Sequence, residues 1–264
     1  MLKFLKRIRQ KLIVEGKLKK YALYAFGEIV LLVIGILIAL QINNWNSDRL
    51  NEKKKKLYLK NIQRDLKVQL QDINKQFDYE SLQMKNAYEL IMNSENIFSA
   101  NLADSVLEKL SILVSRLSFV PVDPTFQDLK STGNLILINN YKLRDEIIQY
   151  YQRLNVIATV IGQNNNGFVD QVFVQNMISN SMVNMMHLSE FTKRFNADVL
   201  DVPASMKQRF DKHVHKNLKE PKNQILLVNL LSSRYLISSL HKSWMEELIT
   251  KTENLYKSLE DEIN

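Results

Sequence analysis

Residues 22–42, Ala-Leu-Tyr-Ala-Phe-Gly-Glu-Ile-Val-Leu-Leu-Val-Ile-Gly-Ile-Leu-Ile-Ala-Leu-Gln-Ile, are almost unbroken hydrocarbon, with Glu28 as their one charged side chain. Coiled as an α-helix the run spans about 31 Å, the thickness of a bilayer's hydrocarbon core. Ile29–Leu40 is apolar on every side, whereas a helix in a soluble core keeps one polar face. Tyr21 and Tyr24 stand at one end and Trp45 at the other, where interfacial aromatics belong, and Asn43, Asn44 and Asn46 mark the return to water. A cleaved signal peptide would need a small-x-small site, and Ala39-Leu-Gln-Ile-Asn-Asn-Trp supplies none. The expectation is an uncleaved signal-anchor: a basic segment at 1–20, a transmembrane helix at 21–45 and an extramembrane domain at 46–264.

The formal net charge of +8 is gathered around that run. Residues 1–20 carry 8 basic side chains against Glu15, and residues 43–60 carry 6 against 2 acids, chiefly in Lys53–Lys56. Residues 61–264 hold 22 bases and 24 acids, so the expected domain lacks the basic excess that nucleic acid requires. The bilayer is the expected partner, and nucleic acid is not. Residues 6–20 carry 7 Lys or Arg and residues 43–57 carry 5, which by the positive-inside rule puts the N-terminus in the cytoplasm. The rest would lie in the periplasm, anchored in the inner membrane. Leu5, Ile8 and Leu12 fall on one face of Leu2–Val14 with bases around them, as in a helix lying along the inner leaflet; a plain basic tail is the alternative.

Within the run, Glu28, Gly35 and Ala39 share one helical face, and the small pair would let another helix approach closely. This face is a candidate for packing against a second copy or a partner helix, with Glu28 as a possible proton-linked acid. A neutral or snorkelling glutamate beside a chance glycine and alanine explains the same residues.

Between Gly35 and Pro121 there is no glycine or proline. Leu59, Ile62, Leu66, Leu70, Ile73, Phe77, Met84, Tyr88 and Ile91 recur in steps of three, four or seven, the pattern of a long helix over about 46–94. A second helix is expected from an Asp104 cap through Leu107, Leu110, Val114 and Leu117. Asp123 followed by Pro124 is a strong helix start, and Gly133 suits the left-handed residue that closes it. Phe126 makes this loop, with Asp123, Pro124 and Gly133, the candidate interaction loop. A further helix opens at Asn140 and carries Leu143, Ile147, Leu154 and Ile161, and Gln163–Gly167 reads as a kink or turn within it. Residues 196–222 read as a looser connection between Pro203 and Pro221. A last helix carries Leu226, Leu230, Ile237, Leu240, Trp244, Leu248, Leu255 and Leu259. Met177, Met182, Met185 and Met186 read as core filling, with a contact surface as the lesser alternative. No segment alternates as a strand does, so the fold class is all-α: one transmembrane helix continuing into a long-stalked antiparallel helical bundle.

No phosphate loop, nucleophile elbow or His-Glu-x-x-His helix is present, and there is no cysteine for a disulfide or thiolate ligand. Of the four histidines, His213 and His215 read as solvent-exposed, without the acids that would complete a metal site. The chain therefore reads as a non-enzyme, with no cofactor or metal ligands.

Gly27-Glu-Ile-Val-Leu-Leu-Val-Ile-Gly-Ile-Leu-Ile-Ala-Leu-Gln-Ile-Asn-Asn-Trp-Asn46 resembles the start of a family of uncharacterised single-span membrane proteins common in Bacteroidetes. Pro124-Thr-Phe-Gln-Asp-Leu-Lys-Ser-Thr-Gly-Asn-Leu135, followed by Leu143-Arg144 and Tyr150-Tyr151, is similar to its second hallmark. The resemblance implies an architecture and an inner-membrane location, and no activity. The function expected is a membrane-anchored binding or scaffolding protein of the cell envelope, contacting a protein partner, a second copy of itself or a small ligand. An extracytoplasmic ligand sensor and an auxiliary subunit of a proton-linked complex using Glu28 are the alternatives.

Overall fold

The computed structural model describes residues 18–99, 103–187 and 202–264, all of whose regular elements are helical. The amphipathic segment expected at Leu2–Val14 lies outside them. In order they are α1 (Leu18–Met92), α2 (Ser94–Ser99), α3 (Asp104–Leu113), α4 (Pro124–Ser131), a 3-10 turn (Asn134–Leu137), α5 (Tyr141–Asn164), a π-helical segment (Asn165–Val174), α6 (Gln175–Ser179), a 3-10 turn (Met185–His187), α7 (Ala204–Leu218) and α8 (Pro221–Ile263). The chain divides into two compact units, residues 1–57 and 58–264.

The described part of the first unit is the N-terminal portion of α1. It contains one 18-residue window of mean hydropathy 2.6, long and apolar enough to cross a membrane, none of which is buried by other parts of the chain. Such an uncovered apolar surface is consistent with a single membrane span.

The second unit is built on a 3.5-residue repeat. The buried residues of α1 include Leu59, Ile62, Leu66, Gln69, Ile73, Gln76, Glu80, Gln83, Ala87 and Leu90, a series in alternating steps of three and four. Those of α8 include Leu227, Leu231, Arg234, Ser238, His241, Met245, Leu248, Thr252, Leu255 and Leu259, in the same rhythm. This is the seam spacing that lets helices stay in register along their length. As α1 advances, its partners on α8 fall in number, from Tyr256 opposite Gln63 to His241 opposite Glu80, so the two run antiparallel. α5 is likewise antiparallel to α8, with Tyr150 against Thr252 and Arg153 against Glu247.

The seams enclose two apolar clusters. One joins α1, α4, α5 and the C-terminal half of α8, with Phe126 stacked on Tyr151 at 4.4 Å between ring centroids. The other joins the end of α1, α2, α3, the π segment, α6, α7 and the start of α8. The rod formed by α5, the π segment and α6 runs from the first to the second. Its buried residues include a series that steps 143, 147, 150, 154, 157 and 161, then lengthens to fours at Asn165, Val169, Phe173 and Met177. A step of four overshoots an α-helical turn by about 40°. The wider π turn absorbs the excess and keeps those residues facing inward. The break expected at Gln163–Gly167 takes the form of this change from α to π winding at Asn165, with no loop.

Other boundaries also differ from expectation. α3 stops at Leu113, well before Leu117, because the carbonyls beyond it accept side chains from elsewhere in the unit: Ser115 O from Tyr79, and Leu117 O from Asn165. Asp104 is its first helical residue, with Ala103 at the cap. The looser connection expected at 196–222 contains α7, whose polar composition hid it, since only Val214 and Leu218 among its 15 residues are buried. Asn140 caps α5 by accepting from Leu143 N–H at 3.2 Å, as its position suggested. Gly133 has φ +69°, the left-handed conformation expected of it.

Two glycine substitutions separate backbone strain from space, since an added Cβ meets nothing within 4 Å at either position. Gly133→Ala should lower stability by about 1–2 kcal/mol through its positive φ, and Gly162→Ala, inside α5, should raise it by about 0.5–1 kcal/mol; denaturant titration followed by circular dichroism measures both. A third expectation concerns acid. Arg153 donates through Nε and Nη2 to Glu247 at 2.9 and 2.6 Å. Those hydrogen bonds hold the Glu247 carboxyl below its ordinary range. The contribution is present above that range and is lost as pH falls through the lowered value. With both side chains about a third exposed, Arg153→Gln should cost under about 1 kcal/mol at neutral pH and flatten the acid limb of a stability–pH curve.

Candidate functional site

Midway along the second unit, both seams place polar side chains where apolar ones would ordinarily pack. From α1 come Gln76, Glu80, Gln83 and Asn86, and from α8 come Arg234, Ser238 and His241, every one of them at most 5% exposed. Burying so many polar groups is costly unless each finds a partner. The layer has two connected halves.

In the first half, His241 Nδ1 lies 3.0 Å from Glu80 Oε1 and its Nε2 lies 2.9 Å from Asn164 Nδ2. A carboxylate oxygen accepts, so Nδ1 is the donor of that pair, and Nε2 accepts from the Asn164 amide. Gln76 Nε2 donates to the same carboxylate oxygen at 2.8 Å, and Trp244 stacks against the imidazole at 5.7 Å. Three helices thus meet at one histidine, through a carboxylate, the imidazole and an amide. In the second half, Arg234 Nη2 donates to Tyr79 Oη at 3.2 Å and to Ser115 O at 3.0 Å. Tyr79 donates to that same carbonyl at 2.7 Å, and burial pushes its phenol above the ordinary tyrosine range. Gln83 Nε2 donates to Ile112 O at 3.3 Å and Ser115 Oγ at 3.1 Å. Arg234 and Gln83 are therefore tied to the same strip of chain that follows α3.

Several atoms of the layer have no hydrogen-bond partner among the described residues: Glu80 Oε2, Gln83 Oε1, Asn86 Nδ2, Ser238 Oγ, and Nε and Nη1 of Arg234. That concentration is the most unusual chemistry in the molecule, because buried polar atoms are nearly always paired. Elsewhere, His187 is 4% exposed and lies 3.0 Å from Asp211, which also accepts from Asn184 at 2.7 Å. His213 is exposed, as expected, but His215 is half-buried with neither ring nitrogen paired, and its imidazole is pushed below the ordinary histidine range, first by burial and then by Lys219. Among the described residues no three His, Asp or Glu side chains gather in a way that could hold a metal ion.

None of the candidate site residues singled out from sequence is a member of this layer. Glu28, Gly35 and Ala39 all fall on α1 in the first unit, and Gly35 has open space where a side chain would be. Asp123 caps α4 by position, yet its carboxylate takes Gln127 Nε2 at 2.7 Å and caps no backbone N–H. Pro124 and Gly133 are exposed, whereas Phe126 is 7% exposed and packs inward. The loop is docked on α1: Val122 N–H donates to Gln69, Thr125 N–H donates to Asp65 at 3.2 Å, and Tyr58 donates to Asp128 at 2.7 Å. Met177 and Met182 fill the core, and Met185 is 41% exposed.

A family of unknown function, DUF6090, matches residues 28–182, more than half of the chain, and the chain belongs to it. No curated protein and no solved structure matches.

The Glu80–His241 couple gives a direct expectation. Replacing one member leaves the other buried without its partner, so His241→Leu or Glu80→Leu should each cost about 1–3 kcal/mol, the penalty of an unpaired buried polar group. The double replacement Glu80→Leu with His241→Leu, which removes both polar groups together, should be less destabilising than the two single changes summed. Chemical denaturation of the full chain in detergent checks the non-additivity.

Proposed function

We propose that this family member is a membrane-anchored binding and scaffolding protein of the cell envelope. The observation that carries the reading is the 18-residue apolar window of α1 with no protein cover, which calls for lipid as its solvent. The basic side chains of residues 1–20 favour an N-terminus in the cytoplasm and a helical domain in the periplasm, anchored in the inner membrane. On this reading the second unit carries the recognition function, and its polar layer is the part whose chemistry exceeds what packing requires. A protein partner or a second copy fits the Glu28, Gly35 and Ala39 face of the anchor, where small side chains let helices approach. The near balance of acids and bases over 61–264 favours protein or small-molecule partners over nucleic acid.

The absence of cysteine makes the test simple, since every introduced thiol is unique. The protein should stay with the membrane pellet through an alkaline carbonate wash. A membrane-impermeant maleimide should label Asn264→Cys in intact spheroplasts and label Lys19→Cys only after lysis. Release of the full-length chain by carbonate would overturn the anchor, and the reverse labelling would overturn the orientation.

A further inference from the structure

Arg234 is a buried cation whose direct partners among the described residues carry no charge. Its side chain is 1% exposed, and its two protein partners, Tyr79 Oη and Ser115 O, are both neutral acceptors. No carboxylate forms an ion pair with it among the described residues. Glu80, the nearest acid in the seam of α1, is engaged through one oxygen by Gln76 and His241. A guanidinium cannot escape this by losing its proton, because its pKa lies far above any working pH. The Nε proton and both Nη1 protons are left without partners. One turn on along α8, Ser238 Oγ is also unpartnered, and Asn86 Nδ2 on α1 adds another unused donor. Two unused acceptors, Gln83 Oε1 and Glu80 Oε2, lie in the same layer. Counted as protons, the unused donors of the layer outnumber these two acceptor atoms.

We propose that the Arg234 position binds a small anion, held by the guanidinium and the Ser238 hydroxyl between α1 and α8. The ligand class is a compact monoanion or a carboxylate or phosphate group, recognised by charge-assisted hydrogen bonds in a low-dielectric layer where they are strong. This deepens the binding reading above and depends on the second unit alone; the membrane anchor can stand or fall without it. An anion seated there links α1 to α8 across the polar layer, so binding stabilises the bundle against opening.

The test uses the full chain in detergent micelles. Chloride, acetate and inorganic phosphate are each titrated at constant ionic strength, the balance made up with a bulky sulfonate, while the thermal midpoint is followed. One of the three should raise the midpoint saturably, and which one does so distinguishes a halide, a carboxylate and a phosphate ligand. Arg234→Gln should abolish the saturable rise. If that variant does not fold, Ser238→Ala, which removes an unpartnered hydroxyl, should shift the half-saturating concentration upward by about tenfold or less, the worth of one hydrogen bond. A flat wild-type response, or the same rise in wild type and variant, would overturn the proposal. So would a response that is absent in wild type and emerges only in Glu80→Gln, because Glu80 would then be the counter-charge of Arg234 through bridging water.

Discussion

The second unit depends on two helical seams that must stay in register while carrying unlike cargo. A 3.5-residue repeat brings the buried edges of α1 and α8 together over many turns, and an apolar repeat would do so with no further requirement. Here the middle of each seam is polar. Glu80 and His241 then have to meet, as do Arg234, Tyr79 and Ser115, because a slip of one helical turn would leave charged groups against hydrocarbon. The apolar clusters on either side supply cohesion, and the layer between them sets the alignment. Specifying one alignment at some cost in stability is a well-attested use of buried polar groups in paired helices.

That layer is also what the sequence concealed. The long helices were legible from their periodicity and from the lack of glycine and proline, and Asn140, Gly133 and the Asp123-Pro124 start were legible from backbone chemistry. The buried edge was legible only where it is greasy. At Leu59, Ile62, Leu66 and Ile73 the apolar pattern and the structure coincide. Past Ile73 the seam turns to Gln76, Glu80 and Gln83, and a search for hydrophobic residues slides to Phe77, Met84 and Tyr88, which lie on the flank of the seam or, for Tyr88, 50% exposed. The same slide occurs in α8, where Ile237 and Leu240 draw attention from Arg234, Ser238 and His241. A strict alternation of three and four, continued through polar positions, was the available signal.

The candidate loop shows the complementary case. Proline, glycine and an aromatic close together suggest a surface made for contact, yet Phe126 is committed to Tyr151 and the backbone on either side of Pro124 is tied to Gln69 and Asp65. Its distinctive residues are explained by docking within the chain: proline begins the short helix, glycine ends it, and the ring plugs the bundle. Motif specificity and surface availability are separate properties, and only burial distinguishes them.

The π segment after Asn164 has a consequence for how one continuous rod serves two cores. Ordinarily a chain that must face new neighbours turns through a loop, with the entropy and solvent exposure that loops bring. In this chain the wide turns re-phase the rod in mid-course, so Ile161 and Phe173 look into different interiors along an uninterrupted helix. The relaxed winding is a hinge-free change of allegiance, and it lets a protein poor in glycine and proline build a composite interior from very few bends.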